Sequence, residues 1–550
     1  MTDQYVLAES YDTTDRQTVD WSVAATKNLR VTDTNNTNYS ANSVVFDLAT
    51  VSNSGKFVSL AESVVTFPVQ IKVTRANGAN PIEANKFLCS LKSDHAIVDG
   101  ISASLSNMPV IGYQKMNPAA VAYSLATDWS QDDYNRATQW GMAWEDGRAF
   151  TYNDANSCYG TRGCSSTSVA AFDPSATDVA SYIEGLEKAK PNAGRKRRCE
   201  AIRYGPDADL EKLRTLADTA LARQSYMAVN SATEQTFYIN VRCSLAHLDP
   251  FFKTAPMSKN GLWRIEFFLN IASMTVVLEG GATALGATAK DKTYKTVAVT
   301  TSNGYNPLQL GSLAANDGIG PMVAGDLSMQ VDMKIGHGYY STCFMDIKLI
   351  ELSPAAESAY LKDAVKTWNY DKRMYQKLPP VEAGKTANNV LLSAGTSRAR
   401  KLVILPYYMN GDDKESPSDL LSPFNSFAAQ TLSGPLCTVT DFNILVSGQP
   451  LYQQNLTMQT QFFDEFKKWT LNNGVDSADI NSCMIDLDQY GSAYGAIVCD
   501  LTKHAESEDD LSKSYSIDFR NNTTKTCGYI TMLISEATIS QNVETGQIVL

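Results

Sequence analysis

Two stretches decide how this chain folds: LSMQVDMKIGHGYYSTCFMDIKLIE at residues 327–351 and LSKSYSIDFRNNTTKTCGYITMLIS at residues 511–535. They align without a gap, Leu327 on Leu511, an offset of 184. Six of the 25 positions are identical, about four times the level of roughly one in sixteen expected from ordinary composition. Both open on Leu-Ser, carry Thr-Cys (Thr342-Cys343, Thr526-Cys527) and close on Leu-Ile (Leu349-Ile350, Leu533-Ile534). Val331, Met333 and Ile335 alternate with polar residues, as do Tyr515, Ile517 and Phe519. That is the period of a half-buried strand. The shared phase carries weight, because a slip of one residue would turn every apolar side chain to the wrong face. The pattern predicts a terminal β-hairpin that occurs twice.

A second pair repeats in the same order. Val98–Ile111 matches Val439–Tyr452 at an offset of 341, with Val98/Val439, Ser106/Ser447 and Pro109/Pro450 identical. Ile101, Ala103 and Leu105 take the inward phase of one, and Phe442, Ile444 and Val446 that of the other. Each segment is followed by a helical pattern. Front segment then hairpin, twice, describes a duplicated all-β unit. The first copy carries about 157 extra residues, the difference between the two offsets (341 minus 184).

At 550 residues the chain exceeds a single core, and two to four domains are expected. Charged residues make up 19%, below the usual quarter, while Ser, Thr and Asn are abundant, which suits sheet surfaces and long loops. A net charge of −12 argues against broad electrostatic binding of nucleic acid, though it leaves room for a local basic patch. No apolar run reaches the eighteen or so residues of a membrane span. The polar start Met1-Thr2-Asp3-Gln4-Tyr5 has no signal-peptide core, which predicts synthesis in a reducing compartment. The sequons Asn38-Tyr39-Ser40 and Asn455-Leu456-Thr457 are then expected to be unused. Ten cysteines are scattered, mostly within apolar strand patterns such as Phe87-Leu88-Cys89 and Ile497-Val498-Cys499, where a thiol acts as a small core residue.

Along the chain, residues 1–42 read as a polar N-terminal arm or a loosely ordered strand. Residues 43–352 form the first β unit, with large loop insertions at about 130–235 and 280–325. Val65, Phe67, Val69, Ile71 and Val73 mark a strand in which Pro68, on the outer phase, suggests an edge or a bulge. Further strands are expected at 86–91, 98–105, 236–241, 262–269, 296–300, 328–335 and 342–352, and a helix over Asp209–Met227. Ser353-Pro354 caps a helix expected to run to about Tyr375, so that 353–398 reads as a helical connector. Residues 399–540 form the second unit, with a helix over about Asn455–Leu471, and 541–550 a short tail. Eight short strands and large end loops fit two consecutive eight-stranded antiparallel jelly rolls with a few short helices.

Chemistry is sparse. His95, His247, His337 and His504 lack metal spacing and sit in no nucleophile motif, and are expected in loops or interfaces. Cys158 and Cys164 are the one close cysteine pair, with no second pair and no nearby His to complete a metal site. Gly280-Gly281-Ala282-Thr283-Ala284-Leu285-Gly286 lacks the Lys-Ser/Thr of a phosphate loop. The acidic run Glu506-Ser507-Glu508-Asp509-Asp510 reads as a solvated loop rather than a calcium site. Asp486 and Asp488 have a glycosidase-like reading, but the alternation around them turns both to water. The Arg195-Lys196-Arg197-Arg198 cluster reads as an exposed loop, with nucleic-acid contact or nuclear localisation as alternatives. Trp129, Trp140, Trp144, Tyr152 and Tyr159 suit packing, or else a glycan or receptor surface. No catalytic residue, cofactor site or metal ligand is expected.

Several segments resemble one family. Phe46-Asp47-Leu48, Phe57-Val58-Ser59-Leu60 and Ser63-Val64-Val65 leading into Val69-Gln70-Ile71-Lys72-Val73 look like the opening of double jelly-roll major capsid proteins of the adenovirus-type lineage. Phe237-Tyr238-Ile239-Asn240-Val241-Arg242, His247-Leu248, Phe251-Phe252, Pro256, Gly261 and Arg264-Ile265 are similar to that family's central strand–helix–strand. Ser422-Pro423-Phe424-Asn425-Ser426 and Asp441-Phe442-Asn443-Ile444-Leu445-Val446-Ser447-Gly448 resemble the second roll of virophage and polinton-like virus proteins. The resemblance implies a structural protein and no enzyme. It would form a homotrimeric, pseudo-hexameric capsomer that meets neighbouring capsomers, penton and minor capsid proteins in an icosahedral shell around double-stranded DNA. It would be made in the host cytoplasm and located in the virion, with indirect or local contact to packaged DNA. Two rival readings are a two-sandwich carbohydrate-binding protein and a two-jelly-roll hydrolase using loop carboxylates.

Overall fold

The computed structural model describes residues 22–75, 87–91, 93–115, 117–130, 202–204, 225–231, 234–279, 293–302, 306–312, 328–337, 340–410, 414–415, 439–470, 483, 490, 496–502, 511–523 and 526–549. In the first half the strands are β1 (Val23–Thr32), β2 (Ser43–Asp47), β3 (Phe57–Arg75), β4 (Phe87–Leu91), β5 (Val98–Leu105), β6 (Met108–Ile111), β7 (Ile202–Tyr204), β8 (Ser225–Ser231), β9 (Glu234–Ser244), β10 (Trp263–Leu269), β11 (Ala272–Glu279), β12 (Thr293–Thr301), β13 (Leu308–Ser312), β14 (Ser328–Ile335) and β15 (Phe344–Leu352). Helix α1 (Asn117–Asp128) follows β6, while α2 (Leu245–Leu248) and α3 (Pro250–Thr254) join β9 to β10. After α4 (Pro354–Leu361) come β16 (Val365–Val381), β17 (Thr386–Thr396), β18 (Ala399–Asn410), β19 (Lys414–Glu415), β20 (Val439–Val446), β21 (Gln449–Pro450), α5 (Gln459–Thr470), β22 (Ile497–Asp500), β23 (Lys513–Asn521), β24 (Cys527–Asn542) and β25 (Ile548–Val549).

Two sets of eight strands obey one rule. In the first half β1, β15, β3 and β9 lie side by side in one sheet, and β2, β10, β5 and β6 in the facing one. In the second half β16, β24, β18 and β22 form one sheet, and β17, β23, β20 and β21 the other. Ranked along the chain, the orders are first-eighth-third-sixth and second-seventh-fourth-fifth in both halves. All of these pairs are antiparallel. Each half is a jelly roll.

The alternating phase fills each roll. Val65, Phe67, Val69, Ile71 and Val73 of β3 are all buried at 0% exposure. Phe267 of β10 meets Phe46 and Phe67 edge-on, at ring-centroid distances of 5.9 and 5.5 Å, tying the two sheets of roll one together. Phe519 and Tyr529 do the same in roll two at 4.8 Å. Edge-to-face contact places the positive rim of one ring on the negative face of another.

The repeat at 98–111 and 439–452 is the fourth and fifth strand of each roll. Its turns explain the shared Ser: Ser106 and Asn107 have φ of +49° and +68°, and Ser447 and Gly448 +50° and +82°. Two successive left-handed residues make the tight hairpin turn whose twist matches the strands. The repeat at 327–351 and 511–535 holds only in its second half. Thr-Cys leads into the eighth strand in both rolls, Cys343 just before β15 and Cys527 as the first residue of β24. Its first half differs, because β14 is not the counterpart of β23, and the expected terminal hairpin forms in neither roll: β23 and β24 lie in opposite sheets of roll two, and β14 and β15 both pair with β3. The 19-residue β3 pairs with β15 over Phe57–Thr66 and with β14 over Val69–Arg75. β14 and β15 are thus two pieces of one run antiparallel to β3, and the seventh strand of roll one is β10. Apolar alternation in β14 and β23 is the same signal, and it does not say which sheet receives the strand.

Pro68 sits at that seam. It is neither on an edge nor in a bulge, since β9 pairs along one side of β3 and β14 and β15 along the other. The partner strand is interrupted opposite it, and the Gly336 N–H donates to its carbonyl (2.8 Å). A residue that cannot donate to a ladder is tolerated where the ladder breaks.

The excursion between β10 and β15 adds β12, β11 and β14 to the larger sheet and the insertion between β6 and β9 adds β8 and β7, giving the order β12-β11-β14-β3-β9-β8-β7, while β4 and β13 pair separately. Of the two readings of residues 1–42, the strand holds over β1, which pairs with β15 along its length. Two boundaries differ from the sequence reading. The helix from Ser353 ends at Leu361 instead of running to about Tyr375; the Ser353 hydroxyl caps it by accepting from the Ala356 N–H (3.3 Å). Most of the expected connector is strand, β16 and β17, so roll two begins at Val365. The helix expected over Asp209–Met227 falls mostly outside the described residues, and its last residues, Ser225–Met227, begin β8.

Candidate functional site: the surfaces between and around the rolls

The strongest constructed surface is the contact between the two rolls. Helix α1 reads NPAAVAYSLATD, and ten of its twelve residues are buried. An ordinary surface helix keeps one polar face; α1 is covered on all sides because it lies between two sheets. Ala119, Ala120, Ala122, Tyr123 and Ala126 pack on Val403, Leu405 and Tyr407 of β18, Val498 of β22, and Ile530, Met532 and Ile534 of β24. Those strand residues point away from the core of roll two, whose interior takes the alternate set, Leu402, Ile404, Cys499, Tyr529 and Leu533. The eighth, third and sixth strands of roll two therefore bury both faces.

Two further contacts extend this joint. Phe251 of α3 meets Trp368 and Tyr370 of β16 at ring-centroid distances of 6.0 and 5.2 Å. The segment after β24 folds back onto roll one. Lys259 N–H donates to the Val543 carbonyl (2.7 Å) and Asn260 Nδ2 to the Glu544 carbonyl (3.0 Å). Gly546, at φ +70°, approaches Gly261 so closely that an added Cβ would lie 2.3 Å from the Gly261 Cα. β25 then pairs with Ser540 and Gln541.

Charge is buried at the same joint. Arg373 Nη2 of β16 donates to Ser124 Oγ of α1 (2.8 Å), and Gln114 Oε1 accepts from the Tyr375 N–H (2.9 Å). Burial pushes the Asp249 carboxyl up, with Arg373 and the Phe251 N–H opposing it. Burial also lowers the Lys401 ammonium, which lies over the rings of Tyr123 and Trp469. Removing one partner of such a set leaves a charge without compensation, so these groups fix the register of the two rolls.

His337 lies in the loop after β14 and His95 in the short turn Asp94–Ile97 before β5, and both are buried in roll one. Trp129 packs on His247 at 5.4 Å between centroids. Among the described residues, no three His, Cys, Asp or Glu side chains gather to hold a metal ion, and no helix is long and apolar enough to cross a membrane. Cys158, Cys164, Arg195–Arg198, Gly280–Gly286, Asp486, Asp488, His504, Glu506–Asp510, Trp140, Trp144, Tyr152 and Tyr159 lie outside the described residues. Sequence reasoning missed the inter-roll surface. Its signal was the all-round apolar character of 117–128, which asks for burial on every side.

No protein-family model matches the chain, and no curated protein matches it. Among solved structures, a chain of the Sputnik virophage, determined by cryo-EM, is similar over 96% of this chain and 88% of its own, at TM-score 0.50 and 11% identity. The two share the double jelly-roll fold. The crystal structure of the mavirus major capsid protein aligns over 96% of this chain and 90% of its own, at TM-score 0.45 and 9% identity.

Proposed function

We propose that this chain is a major capsid protein that assembles, as pseudo-hexameric trimers, into an icosahedral shell enclosing double-stranded DNA. One observation carries the reading: two jelly rolls of identical strand order are locked into one body, in a fold shared along nearly the whole chain with a virophage chain. A building block with two equivalent rolls gives three copies six similar wedges, which suits a hexagonal tile. In this reading the two long insertions of roll one, which contribute the described strands β7, β8, β11, β12 and β14, form the outward face of the tile. Neighbouring capsomers, penton proteins and minor capsid proteins are its partners. The chain is made in the host cytoplasm and resides in the virion, where contact with packaged DNA is local or indirect. It acts through surfaces and carries out no catalysis.

Purified full-length protein tests this directly. Light scattering should give three times the 60.1 kDa chain mass, and electron microscopy should show hexagonal capsomers or closed shells. A monomer under all conditions, or one that releases sugar from a glycan in an Asp486-dependent manner, would overturn the reading.

A further inference from the structure

The two rolls treat the same sheet face in opposite ways. In roll two the outward residues of the eighth and third strands are apolar pairs, Ile530 opposite Leu405 and Met532 opposite Val403, and α1 covers them. In roll one the matching rows are Phe344 opposite Thr66 and Asp346 opposite Val64, with Lys348 reaching Glu62. On the first strand Arg30 pairs with Asp346 (2.8 Å) and lies over the Phe344 ring (4.1 Å). The rim of this face is open, with the side chains of Arg30 and Glu62 56% and 52% exposed, while Thr66 within it is buried.

The helices that follow the fifth strands differ in the same way. α1 is apolar all round and buried between sheets. α5, in the same position of roll two, reads QTQFFDEFKKWT. It buries Phe462 and Phe466 and places Asp464, Lys467 and Lys468 beside a concavity of about 520 Å³, with Lys467 paired to Asp464 (3.6 Å) and Lys468 to the buried Glu465 (2.7 Å). An apolar helix thus faces an apolar sheet within the chain, while a charged helix and a charged sheet, each carrying both signs, are left without each other.

We propose that α5 of one copy docks on the charged sheet face of roll one of a second copy. Lys467 and Lys468 then meet Glu62 and Asp346, and Asp464 meets Lys348 and Arg30. This contact repeats between chains, in polar form, the helix-on-sheet contact made within each chain. It rests on the assembly reading above and adds that the joint between copies is electrostatic and salt-labile whereas the joint between rolls is apolar. Exposed charges separated by water are screened within a few ångströms at about 1 M salt, and charge complementarity at an interface sets both rate and partner choice.

The test is the self-association constant of the full chain by analytical ultracentrifugation at low salt and at about 1 M salt. Association should weaken at least ~10-fold in high salt. Glu62→Lys and Lys467→Glu should each weaken it by a similar factor at low salt while leaving the melting temperature unchanged, and the two together should restore it. Association indifferent to salt and to both reversals overturns this inference alone and leaves the capsid reading standing. A chain that stays monomeric throughout overturns both.

Discussion

At the scale of single residues, His337 shows how burial sets a pH limit. Its Nδ1 accepts from the Tyr340 N–H (3.3 Å) and its Nε2 faces Asn240 Oδ1 (3.2 Å), so the neutral ring with hydrogen on Nε2 satisfies both partners. Protonation would place a second hydrogen against the Tyr340 N–H, and burial lowers its pKa from 6.5 to about 4. The unfolded chain therefore binds a proton more readily than the folded one between about pH 4 and 6.5. Stability is fully present above that window and falls as the pH drops through it, by on the order of 3 kcal/mol. Denaturant titrations from pH 7 to 4 should show this slope, and His337→Gln should flatten it. A variant with the unchanged slope would assign the acid sensitivity elsewhere. Gly546 is a second residue-scale constraint. Replacement by Ala combines a left-handed backbone with a Cβ thrust into the Gly261 backbone, and should cost at least about 2 kcal/mol. Gly384, at φ +67° with nothing within 4 Å of an added Cβ, is the control, and Gly384→Ala should cost about 1 kcal/mol. Thermal melts of the two variants check the difference.

Single elements show where pattern and context part company. The repeat at 98–111 and 439–452 was legible as alternating strands, but its β5–β6 and β20–β21 hairpins were not read, although a Ser followed by Asn or Gly between alternating runs is the local turn signal that marks them. In β20–β21, Ser447→Gly should be neutral or stabilising by up to about 1 kcal/mol and Gly448→Val destabilising by about 1–2 kcal/mol, as measured by chemical denaturation. β16 was misread because Ser353-Pro354 is a strong helix start and the stop at Leu361 carries no Gly or Pro. Yet Trp368, Tyr370, Met374 and Leu378 keep a period of two, and that period wins because β24 supplies a partner along the whole strand. Helix α1 offers the sharpest element-scale test. With Ala120 and Ala122 at 1% exposure between two sheets, Ala122→Leu should cost about 1–3 kcal/mol through overpacking. A calorimetric scan should show the loss, and an unchanged melting temperature would mean the joint is looser than its packing indicates.

For the molecule as a whole, the rolls depend on each other. Cutting the chain between Leu352 and Val365 would leave roll two with Val403, Leu405, Met532 and Ile534 bare on an open sheet, an apolar patch of the kind that aggregates. Each half expressed alone should be insoluble or bind hydrophobic dyes, and co-expression should restore a soluble complex; a monomeric, well-folded second roll would contradict this. By itself, the amino-acid order determined that the chain is all-β, that its unit occurs twice and that the first copy carries its excess before and after a central strand. Those features rest on periodicity and turn chemistry, which operate over a few residues. Only the tertiary structure decided which strands share a sheet, that β14 continues β15 rather than matching β23, and that α1 is the wedge between rolls. Pairing partners lie up to hundreds of residues apart, and an apolar side chain facing its own core looks the same in sequence as one facing a neighbouring domain.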